Sequence, residues 1–163
     1  MRDAARTYRE EGVRGASPVG LIVILYQEVH RSILKAQQAL LQGNIEQRTT
    51  ELNHAVEVIG HLQSTLNFEK GGEVAPKLSR FYNVARAKIL EANILSSKEI
   101  LEWLSQEFSA HIEAWQTVDR AVSDQEAQAE AQAETERVVP ALPRPVRVGR
   151  PNANLPHPVR MRR

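Results

Sequence analysis

Residues 17–43 read SPVGLIVILYQEVHRSILKAQQALLQG, and the spacing inside this stretch decides the fold class. Ser17 is a good helix N-cap, and Pro18 suits the first helical position, where its missing N–H would have no partner anyway. Ile22, Tyr26, Val29, Ile33, Ala36 and Leu40 follow at alternating steps of four and three, one stripe of an α-helix. Gly43 supplies the stop, because it can take the left-handed conformation that closes a helix. At 1.5 Å per residue such a helix is about 39 Å long. A single apolar stripe of that length has to be buried against other long elements.

Three more helices can be read downstream. Asn44, with Gln47 three residues on, forms a capping-box pattern ahead of the stripe Leu52, Ala55, Val56, Ile59, Leu62 and Leu66, which Gly71-Gly72 breaks. A third helix is expected from about Glu73, with Val74, Leu78, Phe81, Tyr82, Ala85, Ile89 and Ala92 on one face and Pro76 tolerated in its first turn. A fourth opens at Ser96, with Glu99 as capping partner, and carries Ile100, Leu104, Phe108, Trp115, Val118 and Val122. Short connections between long helices make neighbours antiparallel. The expected fold is all-α, an antiparallel four-helix bundle over residues 17–122. Residues 1–16, with Gly12 and Gly15, form an N-terminal cap segment, and residues 123–163 an Ala/Gln/Glu extension followed by a disordered tail. Six of the eight prolines lie at Pro140 or later, so this tail cannot be helical and buries almost nothing.

Charge and composition exclude several function classes. The formal net charge is +1, from 21 basic and 20 acidic residues. Residues 137–163 contain seven Arg and no acid, which leaves −6 on the rest. The absence of Cys excludes disulfides, zinc-thiolate sites and thiol chemistry. No run of eighteen apolar residues exists, so membrane insertion is not expected. No phosphate-binding glycine loop, dinucleotide fingerprint or nucleophile elbow is present. His54 and His61 share a helix face but stand about 10 Å apart, too far to grip one metal. His111 falls on the apolar face of the fourth helix, where a hydrogen-bonded residue at the core edge is expected. No cofactor, metal or enzymatic activity is read from the sequence.

Apolar surplus on the first helix is the sequence feature that points to a partner. With Ile22 set at zero, the core stripe covers about −40° to +40°, yet Val23, Leu34 and Leu41 cluster near +100° to +120°. Leu21 and Leu25 flank the other side, and Ile24 falls near 200°, beside Arg31 and Lys35. Two flanking helices would widen the buried arc and account for part of this. The rest is expected to stay open for a partner helix. Leu21, Val23, Ile24, Leu34 and Leu41, with Tyr8 ahead of the helix, are the candidate partner-binding residues.

The string Tyr8…Ala16-Ser17-Pro18…Leu21-Ile22…Leu25-Tyr26, then Gly43-Asn44-Ile45, Thr65-Leu66-Asn67, Gly71-Gly72-Glu73, Leu78…Phe81-Tyr82, Leu90-Glu91-Ala92-Asn93 and Ala114-Trp115, resembles the flagellar secretion chaperones of the FliS family. The resemblance implies a cytoplasmic chaperone that binds the disordered C-terminal segment of flagellin, blocks its premature polymerisation and delivers it to the flagellar type III export gate. It also implies that the N-terminal segment is a mobile cap over a flagellin groove, whose tyrosine, here Tyr8, contacts the export-gate protein when displaced. The family's aliphatic residue three positions earlier is Ala5 here, Gln27-Glu28 replaces an Asp-Gly pair, and Arg86 and Lys88 replace tandem arginines. A homodimer is compatible with the same sequence. The Arg/Pro tail lies outside the resemblance and supports an alternative, a helical-bundle adaptor or regulator acting through that tail on another partner. Nucleic acid is a poor fit, since the tail offers no aromatic for base stacking and its prolines space the charges apart.

Overall fold

Four helices carry the chain through residues 15–138, the part described by the computed structural model: α1 (Pro18–Leu41), α2 (Ile45–Ser64), α3 (Val74–Leu95) and α4 (Lys98–Val138). There is no strand among the described residues. Tyr8, Ala5, most of the cap segment and residues 139–163 of the tail lie outside them.

Side-chain pairs between helices give the direction of each. Ser17 and Asp119 meet at one end of α1 and α4, and His30 and Ser105 further along. Lys35 pairs with Glu51 and Glu28 with His54 across α1 and α2. Arg48 bonds Asn93, and Gln63 bonds Ser79 and Asn83, across α2 and α3. In every pair the first number rises as the second falls, so these neighbours run antiparallel. The described fold is the expected antiparallel four-helix bundle.

The helix ends follow the local chemistry. Ser17 Oγ accepts the Gly20 N–H at 2.9 Å and donates to Asp119 at 2.6 Å, so one hydroxyl caps α1 and ties it to α4. Gly43, at φ 69°, closes α1 with bonds from Asn44 N to Ala39 O and Gly43 N to Leu40 O. Asn44 caps α2 by accepting the Gln47 N–H, as its spacing predicts. Two boundaries differ from expectation. The second helix stops at Ser64, short of Leu66, because Ser64 and Thr65 turn their hydroxyls back onto the carbonyls of His61 and Leu62, and Asn67 holds the following turn through the N–H groups of Glu69 and Lys70. Ser96 does not open α4; it takes the left-handed conformation (φ 49°) that ends α3, and Ser97 caps α4 instead. The Glu99 carboxyl sits below its usual value, favoured by its own backbone N–H and by the Ser97 hydroxyl.

The core gathers Tyr26, Val29, Ile33 and Ala36 with Leu52, Ala55, Ile59 and Leu62, and with Tyr82, Ala85, Ile89 and Ala92, closed by Leu101, Leu104 and Phe108. An alanine in each of the first three helices lets the backbones approach closely. On α4 the buried seam includes Leu101, whereas Ile100 lies at its edge and Val118 is exposed; the Ser17–Asp119 bond marks where α1 begins, next to Val118. At the centre, the Tyr26 hydroxyl donates to that of Tyr82 at 2.9 Å. Burial pushes both phenols upward, so they stay neutral and hydrogen-bonded across any ordinary pH. His111 stacks on Phe81 with centroids 4.1 Å apart and shares its Nδ1 with the Glu107 carbonyl, the core-edge histidine expected. By Cα packing, the described residues up to 127 group as one unit and those from 128 as another. The described residues of the second, 128–138, are helical, and 128–137 are exposed throughout.

Candidate functional site: apolar clefts on the bundle surface

The sequence-predicted residues on α1 do not form one surface. Leu34 and Leu41 are open, at 45% and 75% exposure, and Leu21 is exposed as well. Val23 is buried at 8%, so its expected place on the open arc is corrected: α1 has α2 on one side and α4 on the other, and the widened seam takes it in. Ile24 is half-buried. It lines a cleft of about 580 Å³ at the start of α1 with Ser17, Gly20 and Val23 facing Asp119, Ser123 and Glu126. Tyr8 lies outside the described residues.

A more coherent apolar site lies between α2 and α3. Leu52, Asn53 and Val56 from α2 face Arg86, Ala87, Ile89, Leu90 and Asn93 from α3 across a cleft of about 320 Å³. Leu90 is 60% exposed, and Ile94, one turn further along the same side of α3, is 71% exposed. Polar latches hold the two helices together on either side of this stretch. At one end Arg48 and Thr49 bond Asn93; at the other the Gln63 amide donates to Asn83 and Ser79 and accepts from Arg86. From Ser79 to Asn93 the span is about 21 Å. That length equals about four helical turns, and the accessible apolar side chains along it are Val56, Ala87 and Leu90, above the buried Leu52 and Ile89. The walls carry one guanidinium and two amides and no carboxylate, so the cleft is mildly positive.

A smaller cleft of about 290 Å³ lies across α3 and α4, formed by Lys88, Glu99, Ile100 and the partly exposed Trp103. Sequence reasoning concentrated on α1 and missed both of these sites. The signal was present in Leu90 and Ile94, two large apolar residues four apart on α3 and outside the core face that runs through Tyr82, Ala85 and Ile89.

No described helix is long and apolar enough to cross a membrane. Among the described residues no group of three or more His, Asp or Glu is placed to hold a metal ion.

The family described as flagellar protein FliS matches residues 1–122. The flagellar secretion chaperone FliS of Salmonella typhimurium is 31% identical over 118 residues, covering 72% of this chain and 87% of the relative. The flagellar secretion chaperone FliS of Campylobacter jejuni is 30% identical over 115 residues, 71% of this chain and 90% of the relative. FliSB of Pseudomonas aeruginosa, also named a flagellar secretion chaperone, is 31% identical over 105 residues, 64% and 83% of the two chains. The match ends where the Ala/Gln/Glu extension begins, and it takes in all of α1, α2 and α3 and the part of α4 that closes the core. The chain therefore belongs to the FliS family.

Proposed function

We propose that this protein is a cytoplasmic export chaperone for flagellin, which binds the C-terminal segment of the subunit, keeps it from polymerising and presents it to the flagellar export gate. The observation that carries the reading is the open apolar cleft between α2 and α3 on a chain whose relatives are named flagellar secretion chaperones. A segment that is disordered alone and amphipathic when helical can bury apolar area there at about 25 cal/mol per Å². Ordering the segment costs several kcal/mol of that gain, which keeps the complex releasable at the export apparatus. Flagellin would use the same apolar face to polymerise, so covering it accounts for both protection and delivery. Leu34 and Leu41 offer further exposed apolar side chains on α1.

The test is calorimetric titration of the purified chain with the C-terminal segment of the flagellin from the same genome, with circular dichroism of the mixture. A saturable heat at micromolar concentration and a gain in helicity beyond the sum of the components are expected. No heat and no spectral change would refute the reading. Removing residues 139–163 should leave binding intact, because the family match ends at residue 122; loss of binding on that deletion would favour the adaptor acting through its basic tail.

A further inference from the structure

We propose that Asn93 is a specificity-determining hydrogen-bond donor in the α2–α3 cleft, selecting an acidic side chain on the helix that docks there; this rests on the flagellin reading above. The orientation of its amide is fixed by its neighbours. Arg48 Nε donates to Asn93 Oδ1 at 3.2 Å, and Thr49 Oγ1 donates to the same oxygen at 3.2 Å. Arg48 also donates through Nη2 to the Asn93 carbonyl at 3.3 Å. A guanidinium only donates, so turning the amide over would set N–H against N–H and leave the buried Arg48 Nε without an acceptor. The oxygen therefore faces Arg48, and the nitrogen is left as the free end of a side chain that lines the cleft. That nitrogen has no acceptor among the described residues.

The charge around it selects the kind of acceptor. Arg48 is only 7% exposed and has no carboxylate partner among the described residues, so its charge is felt at this end of the cleft. Arg86 lines the same cleft about 10 Å away, two turns back along α3. With two cations near and no acid in the walls, an Asp or Glu on the docked helix is the complementary group. A second acidic residue two turns along that helix would meet Arg86. Apolar contact with Val56, Ala87 and Leu90 supplies affinity, and the amide sets register by admitting a carboxylate at one position.

Asn93→Asp in the full chain tests this. Aspartate keeps an oxygen for Arg48 and Thr49 and adds an ion pair with Arg48, but removes the N–H donor and sets a negative charge against the incoming one. The expected result is a melting temperature equal to or above that of the parent, with affinity for the flagellin C-terminal segment reduced at least tenfold at low salt and partly restored by added sodium chloride. Parent-like affinity would overturn the assignment of Asn93 alone. Affinity that falls together with melting temperature, with no rescue by salt, would show a structural role and overturn it too. Failure of the parent protein itself to bind the segment would remove the flagellin reading, and the Asn93 assignment with it.

Discussion

Truncating Leu90 and Ile94 together to alanine separates binding from folding, because both side chains are already mostly in solvent. Leu90 is 60% exposed and Ile94 71% exposed. Fully burying a side chain of this size is worth about 1.5–3 kcal/mol, so covering the exposed parts of both contributes about 1–3 kcal/mol to the complex once the methyl left by alanine is allowed for. The double variant should bind the flagellin C-terminal segment roughly 5- to 150-fold more weakly by isothermal titration calorimetry. Its stability in urea should differ from the parent by less than about 0.5 kcal/mol, as for surface positions generally. Ile89→Ala is the contrasting case. Ile89 is one residue away but belongs to the core, and its truncation should cost about 2–5 kcal/mol of stability. Parent-like affinity in the double variant would refute the placing of the partner on α3. Strong destabilisation of the double variant would refute the claim that these side chains are free for binding.

Three further predictions concern the fold. A Cβ at Gly71 would lie 2.6 Å from the Asn67 carbonyl oxygen and 2.8 Å from Ala75 Cβ, so Gly71→Ala should lose about 1–3 kcal/mol in urea unfolding; an unchanged midpoint would show that the turn before α3 is loose. Ser96 holds a left-handed conformation that suits glycine, so Ser96→Gly should gain about 0.5–1 kcal/mol, and a loss would mean that the serine side chain contributes more than its backbone costs. Burial holds His30 below its ordinary value of 6.5, so the folded chain binds fewer protons there than the unfolded one. Its contribution is complete above pH 6.5 and is lost as pH falls from 6.5 through the lowered folded value. Urea midpoints of His30→Asn should therefore fall less steeply on acidification than those of the parent, and parallel curves would contradict the assignment.

The helices were legible because each announces itself in neighbouring residues. Ser17-Pro18, Asn44 with Gln47, and Gly43 are local signals, and local hydrogen bonds satisfy all three. The misplaced boundaries arose where two local solutions compete. Ser96 and Ser97 are both competent caps, and only the way α3 closes decides that Ser97 starts α4. The end of α2 depended on Ser64, Thr65 and Asn67 bonding back to the chain, which an apolar stripe ending at Leu66 does not reveal. The site was less legible, since exposure depends on neighbours. A helical wheel groups Val23 with Leu34 and Leu41, but α1 lies between α2 and α4, and Val23 is covered whereas the other two are not. The polar end of the α2–α3 cleft could not be read either, because Arg48 and Asn93 are 45 residues apart and meet only when α2 and α3 pack antiparallel.

On the proposed function, the partner helix lies in the α2–α3 cleft. Side-chain NMR of the intact protein, titrated with the flagellin C-terminal segment, tests this most directly. The largest shifts should fall on the methyls of Leu52, Val56, Leu90 and Ile94 and on the Asn93 amide. If those signals stay in place while Ile24, Ile100 or Trp103 respond, the partner binds elsewhere on the bundle and the account is wrong.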